Sequence, residues 1–146
     1  MGVKLGMDAK LYRNTGSYAS PVWNEVKNVK DVTLNLEAGE ADVTTRGNGG
    51  WRANIATLKD ASLEFEMVWD TADDDFTAIR TAFLTNAAIE FAVLDGPVAT
   101  SGSQGLRASM AITNFSRAEP LEEAIKVSVT AKPTYADNPP EWMTAA

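Results

Sequence analysis

The stretch that decides the fold is residues 62–69, which read SLEFEMVW. Leu63, Phe65, Met67 and Trp69 occupy every second position, and Glu64 and Glu66 are among the residues between them. In an extended chain, alternate side chains point to opposite faces, so this spacing gathers the large apolar groups on one side. The pattern therefore predicts a half-buried strand of an antiparallel sheet.

The same alternation recurs along the chain on both sides of this segment. The repeats lie at residues 31–36, 89–93, 110–112 and 125–129, with weaker candidates at Lys10–Arg13, Ala41–Thr45 and Trp51–Leu58. About seven or eight such strands in one short chain are typical of a small antiparallel β-sandwich or open barrel. With no internal repeat and no linker composition, residues 1–146 are expected to form one mainly β domain.

One segment, residues 72–86, changes its period. Its apolar residues are Phe76, Ile79, Phe83 and Leu84, which recur near the 3.6-residue repeat of an α-helix. Asp70 or Thr71 is expected to cap its N-terminus, and the acids at 73–75 lie in the first turn, where the helix dipole favours anions. The sequence thus predicts a single amphipathic helix that flanks the sheet.

Glycine and proline mark the connections between these elements. Residues 37–40 are interpreted as a turn and residues 46–50 (RGNGG) as a flexible stretch between strands. Residues 133–146 contain three prolines, which disfavour a central strand and indicate an extended C-terminal arm. Tryptophans beside a flexible loop or in an arm are typical of interface anchors, which makes Trp51 and Trp142 candidate contact residues.

The composition removes several kinds of chemistry. The 146 residues include neither cysteine nor histidine, and the formal charge is −7. Thiolate nucleophiles, His-dependent triads and zinc or haem ligation by these side chains are therefore excluded. The negative charge repels a phosphate backbone and disfavours tight DNA binding. We expect a structural protein rather than an enzyme, with no cofactor and no metal.

The sequence also bears on location. No apolar run approaches the roughly 20 residues of a membrane-spanning helix. Residues 1–8 lack the apolar core of a signal peptide. These features predict no membrane anchor and folding in the cytoplasm of the cell that makes the chain.

Three patterns that resemble functional sites have simpler explanations. The acids at 73–75 point about 100° apart on a helix and do not converge on one ion, so a helix start is favoured over a Ca or Mg site. Glu64 and Glu66 have a spacing that glycosidases use, but solvation of a strand face is the favoured interpretation. Residues 46–50 lack the ending of a phosphate-binding loop. The acidic run at 60–79 contains no basic residue. It is either a solvated surface or a patch that faces something it must not bind or the basic side of a neighbouring subunit.

Several further segments carry a resemblance to a known family. They are Asn28–Leu34, Gly39–Arg46, Gly50–Trp51, Thr57–Phe65, Phe115–Ser116, Pro120–Ala124 and Lys132–Pro133. In this order, and with the helix between them, they resemble the tail tube (major tail) proteins of long-tailed bacteriophages and of phage-derived particles such as gene transfer agents. The resemblance extends from Trp23 to Pro133, and its most specific part is the run from Asp42 to Trp51.

This resemblance implies a two-sheet antiparallel β-sandwich with one flanking helix. It further implies that six copies form a ring, that rings stack into a hollow tube and that DNA passes through the lumen without specific binding. The Glu37–Gly50 loop and the terminal arms would then reach a neighbouring ring. The implied contact residues are Glu37, Glu40, Arg46, Gly47, Gly49, Trp51 and Trp142, and the implied acidic lumen residues are Glu64 and Glu66.

Partners and location follow from the same resemblance. The partners are further copies of the chain and other tail proteins, namely an initiator, a terminator and a tape measure protein. The location is the virion tail, assembled in the cytoplasm of a bacterial host. Two alternatives stay open at this point: the tube protein of a related contractile injection or secretion machine, and a monomeric β-sandwich binding module.

Overall fold

The computed structural model describes residues 3–146, which form eight strands and one α-helix. In chain order these are β1 (Lys10–Asn14), β2 (Trp23–Glu25), β3 (Val29–Asp42), β4 (Asn54–Val68), α1 (Asp74–Thr85), β5 (Ala88–Leu94), β6 (Gln104–Ala118), β7 (Lys126–Pro133) and β8 (Glu141–Thr144). Short 3-10 turns lie at Gly6–Asp8 and Arg46–Asn48. The prediction of a mainly β chain with one helix is confirmed.

All strands join a single antiparallel sheet in the order β2-β1-β5-β6-β7-β4-β3, with β8 also paired to β6. The finer prediction of two separate sheets is not supported by this pairing. The reason is β6, a 15-residue strand with a bulge between Ile112 and Asn114. It pairs with β5 up to Ala111 and with β7 as far as Ala118, so one bent strand belongs to both halves of the sheet.

The sheet curls so that its apolar face encloses the core. Phe65 on β4 and Phe91 on β5 are three places apart in the strand order, which would separate them by about 14 Å in a flat sheet. Their ring centroids are only 6.0 Å apart. The fully buried side chains come from both halves of the sheet and from the helix: Leu63, Met67, Phe76, Ile79, Phe91, Met110 and Val127.

Helix α1 packs on this core and begins later than predicted. Its N-cap is Asp73, whose carboxylate accepts a hydrogen bond from the Phe76 N–H (3.3 Å). Asp70 is not the cap, because its carboxylate accepts from the Ala72 N–H in a separate turn. Leu84 was predicted on the buried face but is 69% exposed, since the face in contact with the sheet is formed around Phe76 and Ile79.

Strands β3 and β4 form one long hairpin, which corrects the prediction of a turn at Glu37–Glu40. These residues lie inside β3, where Glu37 is paired with Asp60 and Glu40 with Ala56. Gly39 sits at a bulge between them, and a Cβ at this position would approach the Thr57 hydroxyl oxygen to 2.6 Å. Residues 46–50 make the actual turn, with Gly49 and Gly50 at φ values of 63° and 86°.

The C-terminal segment predicted as an extended arm returns to its own sheet. Residues 134–140 contain no helix or strand, but β8 pairs with Gln104–Arg107 of β6. It runs in the same direction as β7 and lies beside the same edge of β6. The Ala145 N–H donates to the Ser103 carbonyl oxygen (2.7 Å), which anchors the end of the segment.

Candidate assembly and channel surfaces

One surface with a distinct chemical character is the polar outer face of β3, β4, β7 and the second half of β6. Glu64 is paired with Thr33 on one side and Thr130 on the other, and Glu66 is paired with Ser128. We call this surface the polar face; it consists of Asp31, Thr33, Asn35, Glu37, Asp60, Ser62, Glu64, Glu66, Asn114, Ser116, Lys126, Ser128, Thr130 and Lys132. The opposite side of β4 carries the buried residues Leu63, Phe65 and Met67.

The charge of the polar face is predominantly negative. Its carboxylates are Asp31, Glu37, Asp60, Glu64 and Glu66, and its cations are Lys126 and Lys132. The Lys126 ammonium is already engaged, because it lies 3.0 Å from Glu123 and 3.6 Å from Glu66. The hydrogen bond to Glu123 is the main cause of a raised pKa of this lysine. Glu37 and Asp60 stand directly opposite each other, so two like charges share one cross-strand pair.

Both sides of the polar face end in strand edges that have no strand partner within residues 3–146. On one side the edge is β3, which ends the sheet over 14 residues. On the other side it is residues 112–118 of β6, since β5 ends opposite Ala111. An unpaired edge presents a row of backbone donors and acceptors to another strand. The polar face therefore has an unpaired strand edge on each side.

A second surface is the outer part of the β3–β4 hairpin, residues 36–58, which we call the distal hairpin. Its large apolar side chains are exposed: Leu36, Val43, Trp51, Ile55 and Leu58, with Trp51 at 77% and Leu58 at 87%. Isolated exposed apolar residues are ordinary, but several on one projection mark a contact surface. The structure places the predicted contact residues Glu37, Glu40, Arg46, Gly47, Gly49 and Trp51 together in this hairpin.

The turn of the distal hairpin is ordered by its own polar groups. The Asp42 carboxylate accepts hydrogen bonds from the Thr44 hydroxyl and from the Thr44 N–H (2.9 Å), and these bonds lower the pKa of Asp42. The Ala53 N–H donates to the Thr44 hydroxyl oxygen (2.9 Å), and the Asn48 amide donates to the Trp51 carbonyl oxygen (2.9 Å). The turn thus presents the Trp51 ring on an ordered backbone.

Trp142, the remaining predicted contact residue, lies on β8 rather than in the distal hairpin. Its indole N–H donates to the Gln104 side chain (3.1 Å), and the residue is 57% exposed. Trp142 nevertheless faces the base of the hairpin, because both line an open groove of about 840 Å³. The other residues of this groove are Leu36, Glu37, Ala38, Lys59, Asp60, Ala61, Leu106, Pro133, Pro140 and Glu141.

One polar cluster that the sequence did not reveal fastens α1 to the edge of the sheet. Asp75 is only 4% exposed; it pairs with Arg13 of β1 (2.8 Å) and accepts from the Asn24 amide of β2 (2.9 Å). From the sequence, Asp75 was interpreted simply as an acid in a first helical turn. No spacing links it to Arg13, because their proximity depends on the tertiary fold.

A second unforeseen cluster surrounds Arg107 of β6. Its guanidinium lies 3.8 Å from the centroid of the Tyr18 ring and contacts the carboxylates of Glu90 and Glu141, the latter at 3.8 Å. Glu141 is also the main cause of a raised pKa of Tyr18, through a hydrogen bond. Arg107 therefore connects the 15–22 loop, β5 and β8 at one point.

In residues 3–146, no three carboxylates are grouped so that they could hold a metal ion. The one α-helix of this described part is too short to cross a membrane.

Known structures share this fold. One chain from the tail of an empty gene transfer agent particle, determined with C6 symmetry, aligns with 99% of this chain over 100% of its own length. The TM-score is 0.73 and the identity is 19%. The SPP1 tail tube protein aligns with 89% of this chain over 75% of its own length, at a TM-score of 0.69 and 15% identity. A chain from the structure of the anti-feeding prophage baseplate aligns with 92% of this chain over 90% of its own length, at a TM-score of 0.56 and 9% identity. At these identities the similarity shows the fold.

The sequence comparisons give the family. No curated protein matches the sequence closely enough to indicate a relative. Residues 9–134, which include seven of the eight strands and the helix, match the phage tail tube protein family. The chain belongs to the phage tail tube protein family.

Proposed function

We propose that six copies of this chain close into a ring, that the rings stack into a hollow tail tube and that DNA passes through the lumen. The observation that carries the proposal is the polar face with an unpaired strand edge on each side. Joining the β3 edge of one copy to the β6 edge of the next is a heterologous contact, which forms a ring when the rotation closes. The number six is taken from the C6 symmetry of the similar gene transfer agent tail.

In such a ring the polar face would line the lumen. A wall rich in carboxylates and hydroxyl groups offers a phosphate backbone few partners, since affinity for DNA depends on neutralisation by lysine and arginine. Glu64 and Glu66 lie at the centre of this face. Their negative charge supports a channel through which DNA slides rather than a surface to which it binds.

The distal hairpin is the proposed contact between rings. It projects beyond the part of β4 that pairs with β7, which begins at Leu63. Its exposed Trp51 and Leu58 are large anchors that a neighbouring subunit could cover. We expect Glu40, Arg46, Gly47 and Gly49 to surround this contact. Glu37 belongs to both the hairpin and the polar face.

The remaining parts of the proposal concern the protein as a whole. The chain acts as one structural domain in the virion tail, assembled in the bacterial cytoplasm, and it carries no enzymatic activity. The ends and the interior of the tube would contact an initiator, a terminator and a tape measure protein. The C-terminal segment 133–146 would take part in contacts between subunits through Trp142, which is exposed while β8 is paired with β6.

A second candidate function is the tube of a contractile injection machine. The fold similarity to a component of the anti-feeding prophage favours it, at a lower TM-score than the tail tubes give. The two candidates differ in whether the lumen conducts DNA. Particles carrying the chain and trapped during ejection would show DNA inside the tube only for the first function.

Electron microscopy of the purified full chain over a concentration series tests the assembly. Rings or hollow tubes are expected, if necessary after addition of a tail initiator. A chain that stays monomeric at high concentration and with an initiator would contradict the proposal.

A deletion of Gly47–Gly50 tests the contact between rings. It should impair stacking, while the circular dichroism spectrum shows that the monomer remains folded. Normal tubes from this deletion would show that the turn makes no contact between rings.

The lumen assignment has a separate test. In the double variant Glu64→Lys/Glu66→Lys the polar face gains positive charge, so we expect tubes that retain DNA after ejection at low salt and release it as salt rises. The matched control is Glu122→Lys/Asp137→Lys, which makes the same charge change at two exposed positions outside the polar face. Equal DNA retention by both variants would contradict the placement of Glu64 and Glu66 in the lumen.

A further inference from the structure

A groove lies beside β3 on the side of the sheet opposite the polar face. It holds about 440 Å³ and separates β3 from β1 and β2, because the curled sheet does not close between its two ends. Val32 of β3 is 37% exposed although its strand partner Phe65 is buried. The apolar side of β3 is therefore partly uncovered within residues 3–146. The apolar lining of the groove includes Leu11, Val26, Val29, Val32, Leu34 and Val93.

Helix α1 has an uncovered apolar side of its own, next to the unpaired edge of β6. Phe83 stacks on Phe115 of β6, with the ring centroids 6.0 Å apart. Both residues are half-buried, and the next helical residue, Leu84, is 69% exposed. Phe115 belongs to residues 112–118, the edge that the β3 strand of the next copy would join in the proposed ring. This side of α1 therefore borders the proposed junction.

The alternation of side chains fixes which surfaces meet at that junction. One cross-strand row, on the side opposite the polar face, consists of Val32, Phe65, Val129 and Phe115. A second copy that continues the sheet with its carboxylates toward the lumen must keep this alternation, because a slip by one residue would turn every side chain to the other face. The apolar side of β3 in one copy then adjoins Phe115 and α1 of the next copy.

The helix also spans the same height as the groove. Strand β5 begins at Ala88, shortly after α1, and Ala88 pairs with Ala111 of β6. The next row of β6 continues through β7 and β4 to Leu34 of β3. Leu84, near the end of α1, therefore lies close to the level of Leu34. The helix start follows the end of β4, which is paired with Val29 at the start of β3.

The charges at the start of the helix complement those of the groove. The one acid that lines the groove, Glu25, lies 4.0 Å from Lys10, whereas Lys27 and Lys30 form no ion pair within the described chain. Helix α1 contains one cation, Arg80. Exposed or half-buried acids at its start, or just before it, are Asp70, Asp73 and Asp74. Opposite charges at one end of a contact favour a single orientation of the partners.

From these observations we infer that α1 of one copy docks into the groove beside β3 of the next copy in the ring, which gives the junction a second layer behind the channel wall. Phe83 and Leu84 would cover Val32 and Leu34, and the acids at the helix start would face the two unpaired lysines of the groove. The inference rests on the proposed ring, because the β3 and β6 edges of two copies must first be joined. It gives the exposed side of α1 and the open side of β3 one common partner.

Cross-linking in the full chain tests this contact. The protein has no cysteine of its own, so the variant Leu34→Cys/Leu84→Cys carries only two thiols. If α1 of each copy contacts β3 of the next, oxidation or a short bismaleimide after assembly should join neighbours around the ring. A non-reducing gel should then show a series of bands that ends at six copies. The control Leu34→Cys/Ala87→Cys places the second thiol in the hollow on the other side of α1, which Arg13 also lines.

Charge reversal gives an independent measurement. Lys27→Glu/Lys30→Glu and Asp70→Lys/Asp74→Lys should each raise the critical concentration for ring formation several-fold, while circular dichroism shows that the monomers remain folded. A mixture of the two variants should assemble like the parent, because alternating copies again place opposite charges at every junction. If the mixture assembles no better than either variant alone, the acids at the helix start do not face these lysines.

The outcomes separate this inference from the proposed function. A band series that ends at six copies and is at least several-fold stronger than in the control would support it. Rings or tubes without this excess, or a series that continues beyond six copies, would overturn the inference and leave the assembly intact. Absence of rings, tubes and cross-links under all conditions, for the parent chain as well as the variants, would overturn both.

Discussion

The two parts of this molecule differ in how completely they are folded as an isolated chain. The body is the described chain outside residues 36–58, and it includes helix α1. In the body, Phe76, Ile79 and Phe91 are fully buried, and the buried polar residues Asp75 and Arg107 form ion pairs. In the distal hairpin, residues 36–58, no large side chain is buried. The body therefore obtains its stability within one chain, whereas the hairpin holds its shape through backbone pairing and a few turn contacts.

This difference indicates where stability and assembly reside. Burial of apolar surface is the main favourable term in folding, and the hairpin contributes little of it in the monomer. The same apolar groups would be covered when another subunit binds. Substitutions in the body should therefore change the free energy of unfolding, and substitutions in the hairpin should change association.

The largest effect is expected in the core. Phe76→Ala should lower the free energy of unfolding by about 4 kcal/mol, since it removes a fully buried aromatic ring that contacts Trp69 and Phe115. Leu84→Ala on the same helix is the control and should change stability by less than about 0.5 kcal/mol. Urea unfolding measures both. Equal losses would contradict the burial of Phe76.

A somewhat smaller effect is expected at the buried ion pair. Asp75→Ala should cost about 3 kcal/mol, because it leaves the Arg13 guanidinium without its carboxylate in a largely buried position. Asp74→Ala, next to it in the first helical turn but exposed, should cost less than about 1 kcal/mol. If the two variants unfold at the same urea concentration, Asp75 does not fasten the helix to the sheet.

In the distal hairpin the comparison should reverse. Trp51→Ala should leave the free energy of unfolding within about 0.5 kcal/mol of the parent, because the ring is 77% exposed. The critical concentration for tube formation should nevertheless rise, which light scattering can follow. Leu121→Ala, at an exposed site outside the hairpin, should change neither quantity. A large loss of monomer stability in the Trp51 variant would show that the hairpin is part of the folding core.

The sequence predicted best the elements that bury one face. Contact with the core imposes the apolar period of the 62–69 segment and that of the helix containing Phe76 and Ile79. The structure has strand β4, which ends at Val68, and helix α1 at these places. The hairpin was predicted less well because its strands bury neither face, so only weak alternation marks them, at Ala41–Thr45 and Trp51–Leu58. Glu37–Glu40 resembles a turn by composition, yet its strand conformation comes from pairing with residues 56–60.

Long-range relations were the other part that the sequence could not supply. Whether β-strands divide into two sheets depends on pairings between distant segments, and the bend in β6 at Ile112 joins what the sequence suggested were separate layers. Asp75 posed the same difficulty, since its partner Arg13 is 62 positions away. An acid at a helix start has the same local pattern whether it is buried or solvated.

The smallest expected effect concerns the turn that presents Trp51. The pKa of Asp42 is lowered from its ordinary value of 3.8, mainly by the Thr44 hydroxyl and then by the Thr44 N–H. The carboxylate therefore supports the turn above pH 3.8, and this support is lost as the pH falls through the lower pKa of the folded state. In Thr44→Val the pKa of Asp42 should move back toward 3.8, whereas Thr44→Ser should keep it low. An NMR titration of the Asp42 side chain measures this shift. If the valine variant titrates like the parent, the Thr44 hydroxyl does not order the turn. The exposed position of Trp51 then depends on the other turn contacts, such as the Asn48 hydrogen bond to the Trp51 carbonyl oxygen, and on the glycines at 49 and 50.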